Sequence, residues 1–200
     1  LEKIKLSLME KLTGLKKIKT AVFISGAGSN LKNIIKFSKL KKSPISVNLI
    51  ISNTPLAEGL KYAYQFKIKE KIFNSKNFEI AEKKILLLLR KEKIKFICLA
   101  GFMKILSKEF IKKFNGQIIN IHPSLLPKYK GLNTHSRAIK NKDKFTGCTV
   151  HYVVAKLDSG KIILQKKIKI MTGDNPSSLA KKVLKEEHIL YSSAIMKVFN

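Results

Sequence analysis

The sequence predicts an α/β fold, a doubly wound, mostly parallel, Rossmann-like sheet with an antiparallel hairpin toward the C-terminus. Three observations carry this. Short β-branched and apolar runs at 20–24, 46–51, 94–99 and 118–121 alternate with stretches whose apolar residues recur at helical spacing. Alternation of this kind favours parallel strands, because each crossover helix carries the chain back to the same end of the sheet. A glycine-bearing turn at 25–30 leads from the first strand straight into a helix. Near the C-terminus, 147–154 and 162–168 instead alternate apolar and polar residues around Asp158-Ser159-Gly160, the pattern of a hairpin.

Residues 1–17 set Ile4, Leu8, Leu12 and Leu15 among lysines, a basic extension expected to be helical or disordered, ahead of a single domain at 18–200. After the strand at 20–24, Ser29 or Asn30 is a natural N-cap for a helix carrying Leu31, Ile34 and Ile35. Gly26 and Gly28 let the backbone approach an anion, and the helix start offers free N–H groups, so a phosphate is the expected ligand. A dinucleotide site and a plain tight turn are the alternatives. The first is disfavoured because Leu31 stands where G-x-G-x-x-G needs its third glycine and no acid lies near Ser52.

Strands at 46–51 and 68–73 flank a helix around 57–65. Phe78, Ala81, Ile85, Leu88 and Leu89 then form one helical stripe before the strand at 94–99, and Ser107 caps a further helix. In the strand holding Ile118, Ile119 and Ile121, side chains alternate between faces, which puts Asn120 and His122 on the same one. Pro123 ends the ladder at once, so both polar groups fall at the strand's carboxyl end, where ligands bind in open parallel sheets. The last helix begins at Asn175-Pro176, with an inward stripe of Ala180, Val183, Leu184, Glu187, Tyr191 and Ala194; Glu187 interrupts it, and a buried acid needs a partner.

A formal net charge of +28 points first to nucleic acid, and a basic nucleic-acid-binding protein is the non-enzyme alternative. Arg90 and Arg137, however, are the only arginines among 41 basic residues, and the lysines spread through every predicted helix and loop. Readers of bases and phosphates favour arginine and interleave aromatics, so the pattern is a compositional bias, and no specific nucleic-acid partner is expected. A positive surface would still attract phosphorylated and polyglutamated substrates. No apolar run is long enough for a membrane span, and the leading residues lack a signal peptide's apolar stretch, so a cytoplasmic protein without a membrane partner is expected. Cys98 and Cys148 have neither zinc-site spacing nor a disulfide framework around them, so no metal is expected.

Asparagine can donate to an oxygen that turns negative in a tetrahedral transition state, and histidine exchanges a proton near neutral pH, so Asn120 and His122 suit formyl or acyl transfer. Taken alone, they leave open a turn asparagine and a packing histidine. N-I-H-P-S-L-L-P-K-Y-K-G from Asn120, with A-G-F-M-K-I-L from Ala100 and L-D-S-G-K-I-I-L-Q from Leu157, resembles the catalytic signature of the folate-dependent formyltransferases. S-G-A-G-S-N-L from Ser25 is similar to the loop of those members that formylate phosphoribosylglycinamide in purine synthesis.

The resemblance implies an enzyme that moves the formyl group of 10-formyltetrahydrofolate, a co-substrate, to the amine of that ribonucleotide. Asn120, His122 and Asp158 would be catalytic, with Asp158 orienting His122; spacing alone leaves Asp158 a turn residue. Gly28, Ser29, Asn30 and Glu187 would hold the ribonucleotide. Lys76, Met103, Lys104, Ile105, Leu106, Asn120, Val154, Ala155, Lys156, Leu157 and Asp158 would hold the folate. Another formyltransferase or a formyltetrahydrofolate hydrolase is the alternative within enzymes; the length, which leaves no room for their additional domains, and the loop at Ser25 favour the ribonucleotide reading. A monomer or weak homodimer is expected. Against the family pattern, Lys130 stands for a proline, Asn133 for a histidine and Lys76 for an arginine, and the chain stops at Asn200 where many relatives continue.

Overall fold

A computed structural model describes residues 17–75 and 77–200. The expected extension at 1–17 therefore lies outside the described residues, apart from Lys17, and so does Lys76. Among the described residues, β1 (Ile18–Ile24), β2 (Ile45–Ser52), β3 (Lys69–Ile72), β4 (Phe96–Leu99), β5 (Gln117–His122), β6 (Phe145–Tyr152) and β7 (Ile162–Lys169) form one sheet in the order β3-β2-β1-β4-β5-β6-β7. The first five pair in parallel, whereas β6 runs antiparallel to β5, and β7 to β6. The antiparallel part thus begins one pair earlier than the hairpin alone.

The helices are α1 (Ser29–Ser38), α2 (Leu60–Phe66), α3 (Phe78–Lys91), α4 (Lys108–Lys113), α5 (Thr134–Lys140) and α6 (Pro176–Phe199). β1 explains why the central strands read as unbroken apolar runs. Ala21 and Phe23 bury on one face, in a core with Ile85 and Leu89 of α3 and Phe110 of α4. Val22 and Ile24 bury on the other, with Leu31 and Ile34 of α1 and Val183 and Tyr191 of α6. Helices cover both faces, so neither set of side chains can be polar. No helix among the described residues is long and apolar enough to cross a membrane.

Two helix starts matter for the site. Gly28, not Ser29 or Asn30, is the N-cap of α1, with φ at 73°. Glycine adopts this left-handed backbone freely, and a Cβ there would come within 2.6 Å of the Gly59 Cα, so the turn needs glycine on both counts. α6 begins as expected: the Asn175 side chain accepts from the Ser177 and Ser178 N–H groups, and the Ser178 hydroxyl accepts from the Asn175 N–H. Its buried stripe runs through Leu179, Val183, Glu187, Leu190, Tyr191, Ala194 and Ile195, leaving Ala180 and Leu184 half-buried. α6 packs on α1 as well as on β6 and β7. The Tyr191 hydroxyl donates to the Leu99 carbonyl at 2.8 Å, tying α6 to the carboxyl end of β4.

Candidate active site

A cleft of about 630 Å³ opens at the carboxyl ends of β4 and β5. Asn120, His122 and Asp158 line it together, although Asp158 arrives from the β6–β7 connection, 36 positions after His122. Asn30 and Glu187 also line it, as do Met103, Lys104, Ile105, Leu106, Val154 and Leu157. Gly28 and Ser29 stay outside the lining, at the adjoining start of α1 where Gly28 packs on Gly59; Ala155 and Lys156 are exposed on the connection beyond it.

His122 is 6% exposed, and its ring is held at both nitrogens. Nε2–H donates to the Tyr129 carbonyl at 2.7 Å, while Nδ1 lies 3.4 Å from Asp158 Oδ2. With Nε2 carrying the hydrogen, the neutral ring offers Nδ1 as the proton acceptor, and the adjacent carboxylate favours the cation that results. Burial pulls the His122 pKa below its ordinary value, against the Tyr129 hydrogen bond and the Asp158 charge, which push it up. Burial also opposes ionisation of Asp158, but the Gly131 N–H and the positive charge on His122 once it has taken a proton outweigh it and hold the carboxyl below its ordinary value. Asp158 Oδ2 accepts from the Gly131 N–H at 2.8 Å. The arrangement could serve as a base with its counter-charge beside it.

Asn120 faces His151 across the β5–β6 ladder, where the two residues are register partners. His151 Nδ1–H donates to the Tyr152 carbonyl at 2.9 Å, which leaves Nε2 to accept from the Asn120 amide at 3.2 Å. That fixes which end of Asn120 is the donor and leaves its second amide hydrogen for the cleft. Gly160 lets the β6–β7 connection lie against β6 on its way from Asp158, since a Cβ there would sit 1.7 Å from the Tyr152 carbonyl.

Glu187 finds the partner its burial demands: the Asn30 amide donates to its Oε2 at 2.7 Å. Burial raises the Glu187 pKa, and Asn30 offsets part of this. Asn30 Oδ1 is buried without a hydrogen-bond partner among the described residues, a free acceptor on a cleft-lining side chain. Among the described residues no group of three or more His, Cys, Asp or Glu is arranged to hold a metal ion. Cys98 and Cys148 are free and buried, and burial pushes the Cys148 thiol up to about 12.

Residues 18–195 match the family model described as Formyl transferase. The chain belongs to that family. It is 41% identical over 180 residues to the phosphoribosylglycinamide formyltransferase of Haemophilus influenzae, covering 88% of this chain and 85% of that one. It is also 39% identical over 186 residues to the human trifunctional purine biosynthetic protein adenosine-3, covering 92% of this chain but 18% of that protein. It thus spans a small part of the length of the trifunctional relatives it matches. The solved phosphoribosylglycinamide formyltransferase from Brucella melitensis superposes with a TM-score of 0.86 at 39% identity, over 92% of this chain and 96% of that one.

In this member of the family, three features of the site escape sequence reading. His151 is 2% exposed and acts on Asn120 only through the antiparallel register of β6, which no local pattern announces. The Tyr129 carbonyl and Gly131 N–H are backbone groups, invisible in side-chain chemistry. α5 was not expected either, because its seven residues carry too short an apolar pattern. It brings Thr134, His135 and Ser136 to the cleft, and His135 Nδ1 is buried without a partner among the described residues. Asn133 caps α5 at φ 59°, a left-handed backbone that asparagine tolerates better than most residues, which gives a local reason for asparagine here.

Proposed function

We propose that this formyl transferase moves the formyl group of 10-formyltetrahydrofolate to the primary amine of N1-(5-phospho-D-ribosyl)glycinamide, a step of de novo purine synthesis. The meeting of Asn120, His122 and Asp158 in a single cleft carries this reading. The Asn120 amide hydrogen left free by His151 stabilises negative charge developing on the formyl oxygen. His122 Nδ1 takes the proton that the amine loses as it attacks and returns it to the folate nitrogen as that nitrogen's bond to the formyl carbon breaks, while Asp158 balances the transient imidazolium. The folate supplies the activated formyl group. Met103, Ile105, Leu132, Val154 and Leu157 leave large apolar surfaces exposed around the cleft, suited to covering an apolar ring system. Asn30 and Glu187 offer acceptors for the hydroxyl and amine groups of a ribonucleotide, and the start of α1 beside them suits its phosphate. Similarity to named phosphoribosylglycinamide formyltransferases supports the choice of substrate. In this reading 18–200 acts as one catalytic domain, as a monomer or weak homodimer.

Mixing the protein with the ribonucleotide and 10-formyltetrahydrofolate should release tetrahydrofolate and the formylated ribonucleotide in equal amounts. Formate released whether or not the ribonucleotide is present would instead identify a hydrolase.

A further inference from the structure

The two loops that build the His122–Asp158 pair come from distant parts of the chain. Residues 123–133 supply the Tyr129 carbonyl that holds His122, and 153–161 supply Asp158. On the side away from the cleft, the first loop is well anchored: the Tyr129 hydroxyl donates to Asp143 at 2.7 Å, and Arg137 donates to the Lys130 carbonyl at 2.7 Å. Toward the second loop, two polar contacts join them. The Gly131 N–H donates to Asp158 Oδ2 at 2.8 Å, and Lys130 Nζ donates to the Ser159 hydroxyl oxygen at 2.5 Å. Consecutive residues 130 and 131 thus grip consecutive residues 159 and 158. The Ser159 hydroxyl is turned toward Lys130 because it donates its own hydrogen to the Leu157 carbonyl at 2.8 Å.

We infer that Lys130 is a positioning residue of this chain, clamping the Asp158 turn against His122 through the Ser159 hydroxyl. The residue is half-buried, which distinguishes it from the lysines scattered over the solvent surface. Asp158 itself sits at φ 45°, a backbone that nonglycine residues adopt only when their surroundings hold them, so the turn needs outside support. Lys130 touches no reacting atom; it acts through the distance between Asp158 and His122.

The inference concerns the pair's geometry and rests on the proposed function only for its kinetic test. Asp158 raises the His122 pKa, so loosening the turn lets it fall. Two readouts separate the claims. Titrating His122 by NMR with labelled histidine needs no substrate: Lys130→Met should move its midpoint to lower pH, Ser159→Ala should do the same, and Lys130→Arg, which keeps a donor, should restore it. The double variant Lys130→Met/Ser159→Ala should shift no further than either single one, because both break a single bond. In turnover, Lys130→Met should lower kcat roughly tenfold with KM for both substrates nearly unchanged, since small misplacements of a catalytic group act on rate. An unshifted His122 titration in Lys130→Met overturns the clamp, whatever the substrates are. A shifted titration in a protein that never transfers formyl groups overturns only the substrate assignment.

Discussion

In the proposed mechanism His122 is the base, and opposing surroundings set its strength, which makes its pH behaviour predictable. Burial lowers its pKa below the ordinary value near ~6.5, so the acid limb of kcat/KM, where the neutral ring becomes available, should lie below that pH. Asp158→Asn removes a charge that raises the pKa, so the limb should move to still lower pH while kcat falls. A pH profile unchanged by Asp158→Asn would make Asp158 a turn residue and nothing more. Asn120→Ala, which deletes the donor proposed to stabilise the developing charge, should cost ~10² to 10³ in kcat. If His122 and Asp158 act as the proposed unit, steady-state kinetics of the doubly alanine-substituted protein should be little worse than those of the poorer single variant.

Among the elements, the two helix starts beside the cleft differ in what sustains them, and so in how they should fail. The α6 start is held by side chains: Asn175→Ala should lower unfolding free energy by about 1 kcal/mol in urea titration. Asp174 adds to that corner, its carboxylate accepting from Lys182 at 2.7 and 2.8 Å. Lys182, with the Met171 N–H and Ser178, draws its pKa from the ordinary 3.8 to about 2. A depressed carboxyl pKa means that the stabilisation is fully present above pH 3.8 and is lost as the pH falls toward about 2. Acid unfolding of Asp174→Asn should therefore lack this contribution at every pH. The α1 start is held by backbone shape instead. Gly28→Val meets both a positive φ and the Gly59 Cα, and should raise the apparent constant for the ribonucleotide well above that for the folate. Equal changes in both constants would separate the loop from phosphate binding.

Across the whole molecule, the charge of +28 is spread rather than gathered. Duplex DNA should consequently bind weakly, without preference for sequence, and with an affinity that falls steeply as salt rises. Fluorescence anisotropy across a salt series would test this; tight, sequence-selective binding near 150 mM salt would contradict it. A positive field of this kind is instead suited to drawing anionic substrates toward the cleft, an effect that salt should weaken in kcat/KM more than in kcat.

What the sequence determined by itself is whatever local periodicity and motif chemistry encode. The apolar runs of β1, β2 and β4, buried on both faces, marked a parallel sheet, and the Asn175-Pro176 start marked α6 to the residue. Asn120 and His122 were legible as a pair because a strand's period of two is independent of its neighbours. Tertiary structure alone decided the rest, since those features depend on which distant backbone lies alongside. His151 meets Asn120 through the β5–β6 register, and Glu187 meets Asn30 only once α6 lies on α1. Asp158 lies beside His122 with its Oδ2 accepting from the Gly131 N–H of another loop. Lys130, one lysine in a lysine-rich chain, has Ser159 brought opposite it, and sequence carries no sign of a contact made by folding two separate loops together.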